Sequence, residues 1–280
     1  MTREAQALTP GQGRLWRAAR VYAAIVAMVP KTFLAYSTWF WMQFFVQILA
    51  MTIFVYFWRA VYSNTSTLGG LDLKQTLNYI LLAQILLPVV NTRLILNFGF
   101  IVSQGMVAIE LLRPVDFQGR YYVENLAGLA LSLLLKLPLL LLAWLLFGLQ
   151  LPANPLVWGA FLISLLLGHA VLFFFDWIFA CLAFYSTETW GLNILREGVA
   201  TFFSGALVPL TMMPGWLQAA AQAMPFSQAL YVPVSILSGI SPLSGVPRLW
   251  LVQLAWLAGL GLLSRLVFSL AVRKVTVQGG

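Results

Sequence analysis

The sequence predicts an all-α integral membrane protein with six transmembrane helices. Of its 280 residues, 61% are hydrophobic and only 9% are charged, whereas a soluble domain carries about 25% charged residues. The mean hydropathy of the chain is +0.89. Apolar runs such as residues 129–149 are continuous, so they lack the alternating polar face of a membrane β-barrel strand. Lipid is therefore the main solvent of this chain, and helices are the expected spanning elements.

Residues 1–31 form the first predicted unit, a cytoplasmic tail followed by an amphipathic helix. Within residues 14–29, apolar side chains recur at helical spacing and arginines occupy the opposite face. Such a cationic helix is suited to the interface of an anionic inner leaflet. Pro30 then ends or kinks the helix. A cytoplasmic extension of the first span is the alternative interpretation.

Residues 32–274 form a single predicted six-span domain. Each apolar block is long enough for the roughly 20 residues that a bilayer requires. The predicted spans are residues 33–57, 77–96, 126–147, 157–184, 190–210 and 249–272. Residues 213–240 are too apolar for an ordinary loop and are interrupted by proline and glycine. They are predicted to form two short re-entrant helices, at 215–224 and 227–237, on the extracytoplasmic side.

The distribution of lysine and arginine predicts the orientation of the chain. With the N-terminus inside, twelve of these residues lie on the inner side or at inner span ends, and three lie outside. The outer three are Arg59, Lys74 and Arg248. Both termini are therefore predicted to be cytoplasmic, and residues 275–280 form a short cytoplasmic tail. The net charge of +8 reflects this inner excess and predicts no nucleic-acid partner.

A polar connection at residues 93–124 separates the second and third predicted spans. Its second part, residues 105–124, carries five charged residues between nearly charge-free blocks: Glu110, Arg113, Asp116, Arg120 and Glu124. Isolated charges and irregular backbone are too costly in lipid, so this connection must face water. It is either a solvated loop or the place where the protein meets a cytoplasmic partner.

Few residues in the sequence could carry catalytic chemistry. The motifs GxxxxGK[ST], HExxH, CxxC and GxSxG are absent. A single histidine cannot build a multi-histidine metal site. The chain is therefore predicted not to be an enzyme and to bind no metal or cofactor of its own.

Three ionisable residues fall at predicted membrane depth. His169 and Asp176 are seven residues apart, so they project from nearly the same face of a helix two turns apart. They could form a proton relay or a polar substrate contact, or they could hydrogen-bond to neighbouring helices and fix the packing. Lys136 lies about ten residues into its span, where it either pairs with a carboxylate or lines a cavity.

Two sequence motifs resemble the permease subunits of ABC-2 type exporters. They are GMVAIELLRPVD, starting at Gly105, and FFSGALVPLTMMPGWLQAAAQAMPFSQALYVPVSILSG, starting at Phe202. The C-terminal AVRKVTVQGG is similar to the same family, and the resemblance covers the whole chain. It is strongest to the compact six-span branch that has no fused ATPase. The order and spacing of the two motifs make the resemblance more specific than either motif alone.

The resemblance implies partners and a division of labour. Two cytoplasmic ABC ATPase subunits would bind ATP and magnesium, and a second permease chain, identical or paralogous, would complete the membrane part. The connection between spans two and three would supply the helix that couples the permease to the ATPase. The implied coupling residues are Gly105, Glu110, Leu111, Leu112, Arg113, Pro114 and Asp116. The implied extracytoplasmic gate residues are Pro209, Pro214, Trp216, Pro225 and Phe226.

The predicted function is therefore that of an exporter permease in a prokaryotic plasma (inner) membrane. It would move an amphipathic or lipid-like substrate, such as a drug, peptide or glycolipid, by alternating access powered by the ATPase subunits. Two alternatives remain open. One is an ion-coupled secondary transporter using Asp176 or Lys136, and the other is an intramembrane lipid-modifying enzyme using His169 and Asp176.

Overall fold

The computed structural model describes residues 20–31, 37–90, 92, 94–186 and 189–274, without the side chains of residues 37–40, 89 and 90. The predicted tails at 1–13 and 275–280, the start of the amphipathic helix at 14–19, and Arg93 lie outside the described residues. The described helices are α1 (20–31), α2 (Ser37–Val61), α3 (Leu73–Val90), α4 (Leu94–Ser103), α5 (Val107–Leu111), α6 (Phe117–Leu135), α7 (Leu137–Phe147), α8 (Pro155–Ala180), α9 (Thr189–Phe203), α10 (Gly215–Gln222), α11 (Pro225–Ala229), α12 (Tyr231–Leu237) and α13 (Val246–Ala271).

Four helical segments in the described part of the chain are long and apolar enough to cross a membrane. They are Trp41–Asn64, Phe117–Phe147, Pro155–Phe184 and Leu243–Lys274. These segments coincide with the first, third, fourth and sixth predicted spans. The second and fifth predicted spans fall on shorter helices, since α3 has 18 residues and α9 has 15.

Helix α8 is the centre of the fold. About 56% of an 18-residue apolar stretch of this segment is buried, against 17–22% for the corresponding stretches of the other three candidate spans. It packs against α4, α11, α12 and α13. From Gly168 to Ala180 none of its residues is exposed, whereas its first half exposes Leu162, Ile163 and Leu166. Its second half therefore contacts protein nearly all round, while the other three long segments expose more of their apolar surface.

The second predicted span is not one continuous helix. Helix α3 ends at Val90 and α4 begins at Leu94, with buried Thr92 between them. Pro88 lies inside α3, and proline removes a helical hydrogen bond and crowds the preceding turn. The second predicted span, residues 77–96, therefore falls on two helices, and α4 packs separately against α8 and α9.

The third predicted span has two parts that meet at Lys136. Helix α6 ends at Leu135, and α7 begins at Leu137 with Pro138 in its first turn. Proline is favourable at this position because the first-turn amide lacks an intrahelical partner. The structure also begins α6 at Phe117, nine residues before the predicted start, so the charged connection is shorter than the sequence suggested.

The chain after α9 forms three short helices in the region where two were predicted. Helix α10 agrees with the first predicted helix, whereas the second is divided at Leu230 into α11 and α12. All residues of α11 and α12 are buried. A two-stranded hairpin between α2 and α3, Thr67–Leu68 with Leu71–Asp72, lies beside this region and adds a small β element to the predicted all-α fold.

Candidate functional site

The predicted coupling residues lie on α5 and the two turns around it. Gly105 has φ of +67°, a conformation that glycine adopts without steric cost, and it turns the chain from α4 into α5. Helix α5 has only five residues, Val107–Leu111. Leu112, Arg113 and Pro114 follow in an exposed turn that leads to α6. We call residues 105–116 the coupling segment.

Glu110 holds the coupling segment together through two arginines. Its Oε1 lies 2.9 Å from Nη2 of Arg113, and its Oε2 pairs with Arg120 of α6. Glu110 and Arg120 side chains are 17% and 12% exposed, whereas that of Arg113 is 53% exposed. The pair with Arg120 therefore braces α5 against α6, and Arg113 extends into solvent.

Asp116 ties the coupling segment to the last helix. It caps the N-terminus of α6 by accepting the Gly119 amide at 2.5 Å. Arg265 of α13 donates to both carboxylate oxygens, at 2.5 and 2.9 Å. These hydrogen bonds from Arg265, opposed by partial burial and aided by the Gly119 amide, lower the pKa of Asp116. The carboxylate is therefore ionised at neutral pH and fixes the start of α6 to α13.

An aromatic cluster, formed by Phe98, Phe117, Trp177 and Phe268, joins the end of the coupling segment to the helix bundle. Phe117 at the start of α6 stacks on Phe268 of α13, with ring centroids 5.3 Å apart. Phe117 also packs edge-on against Phe98 of α4 and Trp177 of α8. Phe98, Phe117 and Trp177 are buried and Phe268 is half-buried, so these contacts join the end of the coupling segment to α4, α8 and α13.

The outer surface of the segment combines apolar side chains with a charge. Leu112 is 83% exposed, Ile109 is 66% exposed, and Met106 is 41% exposed. Leu111 is only half-buried against the aromatic cluster. Exposed apolar side chains beside an exposed arginine are typical of a protein–protein interface. The predicted coupling residues thus divide into an inner set that braces the segment and an outer set available to a partner.

A second polar site lies inside the helix bundle, around Asp176 of α8. Arg196 of α9 binds the Asp176 carboxylate with both Nε, 2.7 Å from Oδ1, and Nη2, 2.8 Å from Oδ2. Thr92, between α3 and α4, also donates to Oδ2. Both charged side chains are at most 3% exposed. This bidentate pair holds α8, α9 and the α3–α4 break together.

His169 and Lys136 lie apart from this ion pair. The His169 ring packs near Tyr122, and among the described residues neither ring nitrogen has a hydrogen-bond partner. Two helical turns, about 10.5 Å, separate it from Asp176 along α8. Lys136 is half-buried at the α6–α7 junction and makes no ion pair with a described residue. The structure does not bring these three residues together in one site.

The five predicted gate residues are also distributed over two environments. Pro209, Pro225 and Phe226 are buried, and Phe226 packs edge-on against Phe175 of α8. Pro214 and Trp216 are exposed, with Trp216 at 75%. The prolines precede or begin short helices, so they shape the backbone after α9, and Phe226 connects that region to α8.

The sequence model of a family described as ABC-2 family transporter protein matches residues 46–279, well over half of the chain. The chain belongs to the ABC-2 transporter family. It has no significant match among curated proteins or among solved structures. ABC-2 permeases are the membrane components of transporters and work with an ABC ATPase. This ABC-2 chain is therefore a multi-pass membrane protein and a permease subunit of an ABC transporter.

Three functional contacts of this ABC-2 permease were missed from sequence. They are the contacts of Arg196 and Thr92 with Asp176 and of Arg265 with Asp116, and none of these three donors was among the predicted site residues. The position of Arg196, seven residues into an apolar helix, was a usable signal because a guanidinium at that depth requires a partner. No sequence signal links Asp116 to Arg265, which lies 149 residues away.

A small cleft of about 20 Å³ adjoins the buried ion pair of the ABC-2 permease. Arg196, Glu197, Thr201 and Ser204 supply its polar wall, and Phe226 closes one side. This volume accommodates about one water molecule. It is too small for an amphipathic substrate, so a single chain in this conformation offers no substrate site at the buried pair. In the described residues, no group of three His, Cys, Asp or Glu side chains could hold a metal.

Proposed function

We propose that this permease is the membrane subunit of an ABC exporter that moves an amphipathic or lipid-like substrate, such as a drug, peptide or glycolipid. Two separate cytoplasmic ATPase subunits bind ATP and magnesium and drive alternating access. A second permease chain, identical or paralogous, completes the translocation path. The assembly resides in a prokaryotic plasma (inner) membrane. The coupling segment is the single feature that carries this proposal.

The proposed topology has six spans and both termini in the cytoplasm. The excess of inner lysine and arginine supports this orientation. In it, α3 with α4, and α9 with the turns that follow, complete the second and fifth crossings. Helix α1 lies at the inner interface, and its exposed Val26 and Met28 supply apolar surface for lipid. Helices α10 to α12 re-enter from the outer side, and the turn before them, at Thr211 and Met212, lies against Gly69 of the α2–α3 hairpin.

The coupling segment is suited to transmit ATPase movement because it is braced on its inner side. A rigid-body movement of the ATPases can act on the spans only through an element that does not deform. Glu110 joins α5 to α6, and Asp116 joins the start of α6 to α13. Force on Leu112 or Arg113 would therefore reach α6 and α13 together.

The small size of the cleft at the buried ion pair supports a path between two chains. A volume of about 20 Å³ excludes an amphipathic molecule from this part of the monomer, whereas small-molecule sites usually measure 300–1,000 Å³. The family resemblance supports export rather than import. The apolar faces of the spans are consistent with a lipid-like substrate.

The proposal is tested by purifying the tagged full chain from its native cells in mild detergent. We expect cytoplasmic ABC ATPase subunits to remain bound. Arg113→Glu should weaken ATPase binding and reduce transport, while the protein remains folded in the membrane. We expect at least a tenfold loss of binding, since interface charges can contribute about 1.4 kcal/mol or more.

The matched control is Lys274→Glu, which reverses an exposed charge on the same predicted side but outside the coupling segment. It should retain the ATPase and transport. Recovery of a partnerless chain that still transports, or full activity of Arg113→Glu, would contradict the coupling proposal. A second six-span protein in the same peak would identify a heteromeric path.

A further inference from the structure

A second cavity lies at the opposite end of the bundle from the coupling segment. It is formed where α2 ends, α3 begins and α7 ends, and its volume is about 260 Å³. This is more than ten times the volume of the cleft at the buried ion pair and approaches the range of ligand-binding pockets. The coupling machinery uses none of its residues.

Two cations line this cavity without an anionic partner. Arg59 comes from the last turn of α2, and Lys74 comes from the first turn of α3. Within the described part of the chain, neither residue forms a salt bridge. The nearby Asp72 accepts a hydrogen bond from the backbone amide of Gln75 at 2.7 Å and does not line the cavity. The lining therefore carries two positive charges and no negative charge.

One side-chain amide adds a directional polar group. Oδ1 of Asn78 accepts the Gln150 backbone amide at 2.7 Å, which fixes the loop after α7 against α3. This hydrogen bond fixes the orientation of the Asn78 amide, whose nitrogen can only donate. Arg59, Lys74 and Asn78 thus present donors to the same space, as an anionic oxygen-rich group requires.

Apart from Gln150, whose backbone amide is bound by Asn78, the rest of the lining is apolar. Leu77, Leu81, Phe147 and Leu149 form a wall beside the three donors. A small hydrated anion gains no binding free energy from contact with such an apolar wall. A molecule that joins an anionic head to hydrocarbon chains matches both parts, because its head meets the cations and its chains cover the leucines and the phenylalanine.

We propose that this cavity binds an anionic phospholipid, with the phosphate held between Arg59 and Lys74 and the acyl chains along Phe147 and Leu77. The lipid fills the space between α2, α3 and α7 and neutralises the two cations. In the proposed topology it belongs to the outer leaflet. The site is separate from ATPase coupling and does not depend on which substrate is exported.

Native mass spectrometry of the full chain in mild detergent tests this site. The probes are phosphatidylglycerol and phosphatidylcholine with identical acyl chains, together with glycerol 3-phosphate. We expect phosphatidylglycerol to be retained in preference to the other two. The double variant Arg59→Gln/Lys74→Gln should bind it at least about fivefold more weakly for each cation lost, as expected for cations near an anionic headgroup.

Two further variants separate a specific site from general electrostatic attraction. Arg248→Gln removes an exposed cation at the start of α13, outside the cavity, and should leave binding unchanged. Lys74→Arg retains the charge and should retain the lipid. Equal retention of phosphatidylglycerol by the double variant and by Arg248→Gln would show that the cavity is not the binding site. Equal binding of phosphatidylcholine or glycerol 3-phosphate would overturn its assignment to an anionic lipid.

Discussion

At the scale of single residues, the buried ion pair of Asp176 and Arg196 is a point where the loss of one partner is costly. A charge in a low-dielectric interior is tolerated only when its partner is present with good geometry. Arg196 contacts both oxygens of Asp176, and Thr92 completes the arrangement. The pair fixes the relative position of α8, α9 and the α3–α4 break, so its role is to hold the bundle together.

Substitution of Asp176 and substitution of Arg196 should reduce the stability of the protein by different amounts. Asp176→Asn leaves a guanidinium that stays charged, so we expect a loss of about 3–5 kcal/mol in stability. Arg196→Met should cost less, because a carboxyl group can take up a proton and become neutral. Melting temperatures of the purified variants measure this order.

The double variant Asp176→Asn/Arg196→Met should recover part of the stability that Asp176→Asn loses, because neither residue of the pair is then charged. Glu197→Gln is the control, since Glu197 is a half-buried neighbour that forms no salt bridge with a described residue. Equal melting temperatures for Asp176→Asn and Glu197→Gln would show that the pair does not support the fold.

At the scale of elements, the packing of α8 against α11 depends on one glycine. A Cβ atom at Gly168 would lie 2.5 Å from the Gln228 carbonyl oxygen and 2.8 Å from Cα of Ala229. Gln253 of α13 donates to the same carbonyl at 2.8 Å, and also to the Ser164 carbonyl of α8 at 3.0 Å. Small residues allow this close approach between helices in membranes. The junction therefore couples α8, α11 and α13.

Gly168→Ala should separate α11 from α8, because the obstructing atoms belong to the backbone. Overpacking of this kind costs about 1–3 kcal/mol, so we expect a clearly lower melting temperature. Gly159→Ala is a matched control on the same helix, where a Cβ meets no atom within 4 Å. The control should be neutral or slightly stabilising, because alanine is the better helix former. Similar melting temperatures for the two variants would contradict the close packing.

At the scale of the whole molecule, the two ends of the bundle have different proposed tasks. One end carries the coupling segment, and the other carries the α2–α3 hairpin, the short helices α10 to α12 and the cavity lined by Arg59 and Lys74. The sequence predicts an excess of Lys and Arg on the cytoplasmic side, which corresponds to the first end in the proposed topology. A permease that is driven from the cytoplasm requires the coupling segment to face inward.

This sidedness is testable with single cysteines in a Cys181→Ser background, since Cys181 is the chain's one cysteine and is buried. An impermeant maleimide should label Arg248→Cys in intact cells. It should label Arg113→Cys only after the membrane is permeabilised. Labelling of Arg113→Cys in intact cells would reverse the proposed orientation and remove the coupling segment from the ATPase.

The sequence alone determined the class of the protein, because hydropathy is a property of composition that needs no knowledge of contacts. It also predicted that residues 105–116 face water, since a charged stretch between apolar blocks is excluded from lipid. Its motifs predicted the ABC-2 family, which the match confirmed. The break after α3 and the junction at Lys136 were not predicted, because a proline such as Pro88 or Pro138 permits either a kink or a break.

The tertiary structure alone decided which charges meet. Spacing along α8 placed His169 and Asp176 on one face, yet Asp176 binds Arg196 from another helix and His169 packs beside Tyr122. Asp116 likewise binds Arg265 across 149 positions. Such pairs depend on the rotation and depth of each helix against its neighbours, which arise from packing throughout the bundle and are not encoded in local sequence periodicity.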